Sequence, residues 1–425
     1  RKENGYKISA VSKYKDINRT IYYRANDNGF LALSVRPINF TDVNWQRIKL
    51  WAASLAAKAL QKKNYILLYE KNCSRYEESA SVLYEELIDQ NYKNVFFVLD
   101  EEYLKKHGSE IKQKYKNNLI SKFSLKHYFM FFACKTFMSS ESIGHALETR
   151  CSSKAVRKRI VNKRFNYIFL QHGVMYMISL DSVSRKMFSQ MPKKAKEYRV
   201  VVSSNLEAEH FLDFGQHKPE HIYLTGLCKF DKNKWNEDAD RIVIMPTWRP
   251  WEYNQAVEDL YQTKYYKMLE RMVYAVPESL RKKLTLLPHP LISEIFRGNG
   301  NEFSQYLSEA DLKYDTILQN TKVLITDYSS ISYDAFYRGA NVIFYWEELE
   351  ECLKEYGSNT KLMLNKSNAF GDICYNEKEL SQKLIEDYEN GQRNEYIGNY
   401  QKIVEFHDGN NTKRLLKCLQ KDNII

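Results

Sequence analysis

Short apolar runs alternate with amphipathic segments along most of this 425-residue chain, and this alternation constrains its fold more than any other feature. Such a run predicts a strand buried on both faces, and a strand followed by an amphipathic helix is the unit of parallel α/β layers. The runs form a first series at residues 65–70, 95–100, 135–140, 167–171, 199–204 and 221–226. A second series lies at residues 241–247, 284–290, 322–327 and 341–345. The pattern predicts an α/β fold with two Rossmann-like domains whose parallel sheets face across a cleft.

The polar stretch 228–241 separates the two series and is interpreted as a linker. We therefore predict an N-terminal Rossmann-like domain over 43–232 and a C-terminal Rossmann-like domain over 233–425. The last helix is expected to pack back on the N-terminal domain. Residues 1–42 fit neither series and are interpreted as an extension or the remnant of an upstream domain.

Residues 43–63 have helical periodicity, with an apolar face bordered by basic residues. The apolar face comprises Trp45, Ile48, Trp51, Leu55 and Ala59. Two interpretations remain open: a helix that lies on an anionic membrane surface, or a helix that packs on the first domain with a solvated basic rim.

Composition and motifs exclude several classes of protein. The net charge of +11 favours an anionic partner, and no apolar run reaches the length of a membrane span. The seven scattered cysteines form no CxxC pair, as expected in a reducing cytoplasm. P-loop, dinucleotide and GxSxG motifs do not occur, nor does a recognisable nucleic-acid module. Asp238 and Asp240 imitate a metal-binding DxD but precede a strand, so no metal site is predicted.

The stretch LITDYSSISYDAFYRG places a strand end directly before a helix. The N-terminus of a helix offers free N–H groups and a positive dipole end, both of which suit phosphate. Ser329 and Ser330 are expected to hold phosphate oxygens there, with ordinary helix capping as the alternative. Asp327 and Asp334 would bind hydroxyl groups, because a carboxylate repels phosphate.

Other predicted strands also end in polar residues, and the carboxyl ends of parallel strands are where α/β sheets bind ligands. MPTWR places Thr247 and Arg249 after a strand, and a guanidinium suits phosphate. LLPHP places His289 between two prolines, and YIFLQHG places His172 before Gly173, which would let the backbone turn. Histidine is the natural acid or base near neutral pH.

These motifs together resemble the CDP-glycerol glycerophosphotransferases, the family of teichoic-acid and related capsule polymerases. The resemblance covers about residues 65–415. It is carried by QHG, TGLCKFD, PTWR, PHP, ITDYSSISYD and HDGNNTKR, which occur in the family's order. Val174 and Met177 depart from the Thr and Lys common after His-Gly, and Cys228 and Lys229 replace a Pro and an Arg.

The resemblance implies a GT-B-like fold and a transferase that moves glycerol phosphate or ribitol phosphate from a CDP-alcohol to an acceptor hydroxyl and releases CMP. It implies His172 and His289 as catalytic residues and no cofactor besides the donor. Donor contacts would come from Gly173, Thr247, Arg249, Asp327, Ser329, Ser330 and Asp334, with further contacts from Asp408 and Arg414. The acceptor would be a polyol-phosphate chain or lipid-linked saccharide at the inner face of the cell membrane.

Two other functions fit parts of the pattern. A GT-B nucleotide-sugar transferase or epimerase would share the fold and release UDP or GDP instead of CMP. A non-catalytic basic protein that binds membrane or nucleic acid would be indifferent to replacement of His172 or His289.

Overall fold

The computed structural model of the chain describes residues 7–10, 19–25, 31–60, 64–147, 153–182, 185–288, 292–293, 296–297, 302–308, 313–357 and 359–425. The strands are β1 Lys7–Ala10, β2 Arg19–Ala25, β3 Leu31–Pro37, β4 Ile66–Tyr69, β5 Val95–Leu99, β6 Leu119–Ser121, β7 Thr136–Ser139, β8 Asn166–Phe169, β9 Glu197–Val202, β10 Ile222–Leu224, β11 Arg241–Ile244, β12 Leu284–Leu286, β13 Thr321–Thr326, β14 Asn341–Tyr345 and β15 Asp372–Cys374.

The helices follow the same order. They are α1 Asn44–Leu60, α2 Ser79–Asp89, α3 Glu101–His107, α4 Gln113–Lys116, α5 Leu125–Ala133, α6 Lys154–Val161, α7 Lys186–Ser189, α8 Asn205–Asp213, α9 Tyr253–Asp259, α10 Lys264–Ala275, α11 Tyr314–Gln319, α12 Ile331–Arg338, α13 Leu349–Tyr356, α14 Glu377–Glu389, α15 Asn394–Ile403 and α16 Asn411–Lys421. Among the described residues, none of these helices combines the length and apolar character needed to cross a membrane.

Two parallel sheets organise the chain. The first has the strand order β10-β9-β8-β7-β4-β5-β6, and its strand pairs from β6 through β9 are parallel. The second has the order β12-β11-β13-β14-β15 and is parallel throughout. Strands β4, β7 and β14 are buried at every position, as expected when helices cover both faces of a sheet. The predicted α/β class with two parallel sheets is confirmed.

Each sheet contains one point at which the strand order reverses. In the first sheet the chain adds β5 and β6 on one side of β4 and then starts β7 on the other side. In the second sheet β12 lies on one side of β11 and β13 on the other. Loops that leave such neighbouring strands run in opposite directions, so a crevice opens at their carboxyl ends, and ligands of open α/β sheets bind there.

Two departures from the sequence analysis concern the ends of these series. Residues 7–37, which fitted neither series, contain the antiparallel sheet β1-β2-β3. The stretch 228–241 is packed against the second sheet: Trp235 donates its indole N–H to the Thr321 carbonyl at 3.1 Å, and Arg338 donates to the Lys234 carbonyl at 2.7 Å. The stretch interpreted as a linker therefore makes packing contacts within unit 2.

The contacts of the chain divide it into two compact units. Unit 1 contains residues 1–172, 191–200 and 419–425, and unit 2 contains residues 173–190 and 201–418. Within unit 1, Asp422 forms an ion pair with Arg199 at 3.1 Å. The domain boundaries stated above, at 42 and 232, stay a prediction.

Candidate active site

Asp327 joins the two strands that flank the reversal point of the second sheet. It directly follows β13, and one carboxylate oxygen accepts the Thr247 backbone N–H at 2.8 Å. The other oxygen accepts a hydrogen bond from Arg249 Nη1, also at 2.8 Å, and the same Nη1 donates to the Thr247 carbonyl at 2.6 Å. The residues after β11 and β13 are thereby held together. Asp327 has no exposed surface, so its predicted contact with a donor hydroxyl does not fit this position.

Arg249 is enclosed in the same way, with 1% of its surface exposed. Its Nε and Nη2 atoms also lie 3.4 Å from Glu348 Oε2. Burial, the largest single effect, lowers the pKa of Arg249, but the combined interactions with its neighbours, led by the Asp327 carboxylate, raise the pKa above its ordinary value, so the side chain stays charged. The predicted phosphate contact of Arg249 would require this enclosed ion pair to open. Its position indicates that it fixes the site's shape.

The two serines at the start of α12 differ in what they do. Ser329 Oγ accepts the Ile331 backbone N–H at 3.4 Å, and the Ser329 carbonyl accepts the Ser332 hydroxyl at 2.8 Å. Ser330 occupies the N-cap position but makes no capping hydrogen bond through its side chain. Both serines are half-buried. Capping therefore explains Ser329 in part and leaves the Ser330 hydroxyl unexplained.

Gly173 lies against Ser330 within unit 2. A Cβ atom placed on Gly173 would be 2.9 Å from Ser330 Oγ, closer than real Cβ contacts come, so only glycine fits without a shift. The sharp turn that the sequence analysis assigned to Gly173 is made instead by Gln171, which has φ of 55°. His172, between them, is exposed. The structure thus brings the Gly173 backbone to the serine turn.

Asp334 has a partner that sequence reasoning missed. Asp334 lies on α12, which begins after Ser330, and its carboxylate forms an ion pair with the Lys229 ammonium at 2.7 Å. Both side chains are largely buried. Lys229 lies in TGLCKFD, where the resemblance already showed that a basic residue belongs, and this was the signal that could have identified it.

Asp408 and Arg414 form an ion pair at the start of α16, and Arg414 also binds the loop that contains TGLCKFD. Arg414 donates to Asp408 at 2.8 and 2.9 Å and to the Thr225 carbonyl at 3.0 Å. The hydrogen bond from Arg414 lowers the pKa of the exposed Asp408 below its ordinary value. Asp231 binds the N-terminus of α16 by accepting the N–H groups of Asn411 and Thr412 at 2.9 and 2.7 Å. The predicted donor contacts of Asp408 and Arg414 therefore compete with contacts inside the protein.

Of the predicted site residues, Thr247, Arg249 and Asp327 form one cluster, and Gly173 and Ser330 form another. Asp334 lies one helical turn after Ser330. Among the described residues, no group of three His, Cys, Asp or Glu side chains could hold a metal ion. His289 lies outside the described residues.

Comparison with known proteins identifies the family. The model of the CDP-glycerol:poly(glycerophosphate) glycerophosphotransferases matches residues 52–421. The chain belongs to this family. The resemblance stated from the motifs is thus confirmed, and the family is one of transferases.

A curated relative of this chain agrees with the family assignment. The chain is 28% identical over 325 residues to the minor teichoic acid biosynthesis protein GgaB of Bacillus subtilis (strain 168), a match that covers 66% of this chain and 34% of GgaB. The chain therefore spans about a third of the length of that relative.

Solved structures show the same fold. The wall teichoic acid polymerase TagF superposes with a TM-score of 0.62 at 15% identity, covering 89% of this chain and 93% of that one. A putative UDP-N-acetylglucosamine 2-epimerase from Listeria monocytogenes superposes with a TM-score of 0.51 at 12% identity, covering 85% and 97%. The GT-B-like fold class is confirmed.

Proposed function

We propose that this protein transfers a polyol phosphate from a CDP-alcohol, CDP-glycerol or CDP-ribitol, to a hydroxyl of a teichoic-acid or capsule-type acceptor and releases CMP. Family membership supports the reaction class. The observation that carries the proposal is the approach of Gly173 to Ser330, because it brings the residue after His172 to the turn where a phosphate would bind.

The donor diphosphate would bind at the start of α12. The Ser330 hydroxyl makes no capping bond, and the positive end of the helix dipole favours phosphate oxygens there. Lys229, held by Asp334 one turn further along, supplies a nearby cation as a point charge. Arg249 and Asp327 would act as positioning residues that hold the ends of β11 and β13, instead of contacting the donor as the sequence analysis expected.

The reaction would be an in-line displacement at the phosphorus that carries the alcohol. The acceptor oxygen forms a new P–O bond, the P–O bond to CMP breaks, and the acceptor proton passes to His172 as general base. His289 would stabilise charge on the departing CMP. Such a transfer depends on positioning and charge neutralisation, and we propose that it needs no cofactor beyond the donor.

A membrane surface is the second partner in this proposal, and α1 supports it. One side of α1 is buried against the rest of unit 1, through Gln46, Leu50, Ala53 and Ala57, and Tyr128 of α5 donates to Gln46 at 2.9 Å. The helix therefore packs within unit 1 through the face opposite to the one that carries its two tryptophans.

The opposite face of α1 is apolar and exposed. It comprises Trp45, Ile48, Trp51 and Leu55, with both tryptophans 61% exposed. Arg47 and Lys58 border this face on one side and Lys49 on the other, by the helical repeat. Large apolar side chains between basic borders are suited to the boundary between headgroups and acyl chains of an anionic membrane. We therefore place the protein at the inner face of the cell membrane as a peripheral protein.

The reaction is tested by incubating the protein with CDP-glycerol or CDP-ribitol and a poly(glycerol phosphate) or lipid-linked acceptor, with and without a chelator. We expect CMP release and a longer acceptor, with activity unchanged by the chelator. His172→Ala should lower turnover roughly a hundredfold or more, the usual loss of a general base, while His107→Gln on α3 keeps it. When UDP- or GDP-sugars replace the CDP-alcohols, release of UDP or GDP would instead establish sugar transfer or epimerisation.

A further inference from the structure

The reversal point of the first sheet, between β4 and β7, carries an unusual stretch of backbone. Three consecutive non-glycine residues after β4 have left-handed φ values: Lys71 at 37°, Asn72 at 58° and Cys73 at 64°. Left-handed backbone at residues other than glycine is strained and persists only where its surroundings hold it. The loop that follows β4 is therefore held in place by other residues.

The Glu141 carboxylate holds this loop from the neighbouring strand. Glu141 lies two residues after β7, and its Oε2 accepts the Asn72 N–H at 3.1 Å. Cys73 Sγ lies 3.5 Å from the Ala146 carbonyl, and Tyr69 donates to the Ser142 carbonyl at 3.0 Å. The residues after β7 are thus fixed against those after β4, as Asp327 fixes the corresponding point of the second sheet.

The same carboxylate oxygen hydrogen-bonds His145 Nδ1. An ionised carboxylate can only accept, so Nδ1 donates the proton of this hydrogen bond, and the tautomer that carries this proton has its lone pair on Nε2. The His145 side chain is 24% exposed, and its Nε2 is suited to accept a hydrogen bond from a hydroxyl group. The pair thus combines a fixed tautomer with access from solvent.

The strand register places this pair beside His172. β7 and β8 are parallel neighbours with Ser139 opposite Phe169, and the Leu170 N–H extends the ladder to the Ser139 carbonyl at 2.8 Å. Glu141 and His172 therefore leave adjacent strand ends of unit 1 at the same edge. A second His–Glu pair of unit 1, His107 with Glu110 at 2.9 Å, lies at a helix end and joins no strands.

We propose that His145, oriented by Glu141, binds a hydroxyl of the acceptor polyol chain at the reversal point of the first sheet. The choice of acceptor as the ligand rests on the proposed function. His145 would accept the hydroxyl hydrogen bond through Nε2, and Glu141 acts as a positioning residue. Neither residue was identified from the sequence.

The test combines titration and kinetics. In protein labelled at histidine, poly(glycerol phosphate) should shift the imidazole resonances that are missing from the His145→Gln variant and leave those of His107 in place. His145→Gln should raise the acceptor KM roughly tenfold or more, the cost of one buried-site hydrogen bond, with the donor KM unchanged. Glu141→Gln should do the same to a smaller extent, and His107→Gln should change neither constant.

Resonances of His145 that do not move with the polymer overturn the inference, because the wild-type titration depends on neither folding of a variant nor catalysis. A shift without CMP release from any CDP-alcohol would sustain the binding site and refute the proposed function. An unchanged acceptor KM in an active, folded His145→Gln variant also overturns the inference.

Discussion

Replacing Asp327 by asparagine would remove one charge from an ion pair that has no access to water. Arg249 Nη1 lies 2.8 Å from Asp327 Oδ2, with 1% and 0% of the two side chains exposed. The asparagine keeps an oxygen for the Thr247 N–H but turns an N–H₂ group toward the guanidinium. The buried cation then retains the Thr247 carbonyl and, as its remaining carboxylate among the described residues, Glu348 at 3.4 Å. Removing one partner of a buried pair costs about 3–5 kcal/mol.

This loss is large enough to measure and has a matched control in the same cluster. For a unit of this size it corresponds to a fall in Tm of roughly 6–20 °C. Glu348→Gln removes the longer and more exposed of the two ion pairs, so it should cost about 1 kcal/mol. Adding Arg249→Met to Asp327→Asn removes the uncompensated charge and should recover part of the loss.

Thermal unfolding followed by circular dichroism would decide the matter, with urea midpoints as the second measurement. If Asp327→Asn is no less stable than Glu348→Gln, or if Arg249→Met lowers the stability of the Asp327→Asn variant further, then Asp327 and Arg249 do not stabilise the protein as a buried ion pair. Arg249 would then be available to the donor phosphate, as the sequence analysis expected.

Two further predictions concern the surface and the core. Replacing Trp45 and Trp51 together by Gln should weaken binding to phosphatidylglycerol vesicles by roughly a hundredfold or more, because burying each large apolar side chain contributes about 1.5 kcal/mol or more. Val257→Ser, an exposed apolar control on α9, should change nothing, and equal vesicle binding by the wild-type protein and the double variant would contradict the role of α1. Burial lowers the pKa of His127 to about 3, so the unfolded chain takes up a proton below pH 6.5 that the folded one does not. The free energy of unfolding should thus fall by about 1.4 kcal/mol between pH 7.5 and 5.5 on account of this residue. Urea midpoints at both pH values should differ less in His127→Asn, which keeps an acceptor for the Phe123 N–H, and an unchanged difference would contradict this assignment.

The strands were predictable where burial on both faces leaves a continuous apolar run. NVIFY is a strand over the predicted residues, Asn341–Tyr345. Runs that ended in Thr-Gly or Met-Pro-Thr were predicted too long, because Gly226 has a left-handed φ of 78° and Pro246 has no N–H for the strand ladder. β6 and β15 have three residues each and show no period. The antiparallel sheet near the N-terminus was missed, although an Asn-Gly pair at 28–29 lies between two alternating runs, a recognised hairpin signal.

The site was predicted as a set of strand ends, and its internal pairing was not. A carboxylate and a guanidinium at neighbouring strand ends can bind each other as well as a ligand, and Asp327 and Arg249 form an ion pair with each other. The sequence does not indicate this pairing, because the pairing depends on how deeply the two side chains are buried. The Glu141–His145 pair was missed for the opposite reason: a Glu and a His four residues apart in a loop look like ordinary surface residues.

The contact between Gly173 and Ser330 restricts how this protein can vary. A side chain at 173 would need Ser330 Oγ to move, so an exchange of Gly173 should be tolerated best together with a residue at 330 that has no Oγ. In a collection of related sequences these two positions should change as a pair, although 157 residues separate them. A library that randomises position 173 alone should return glycine.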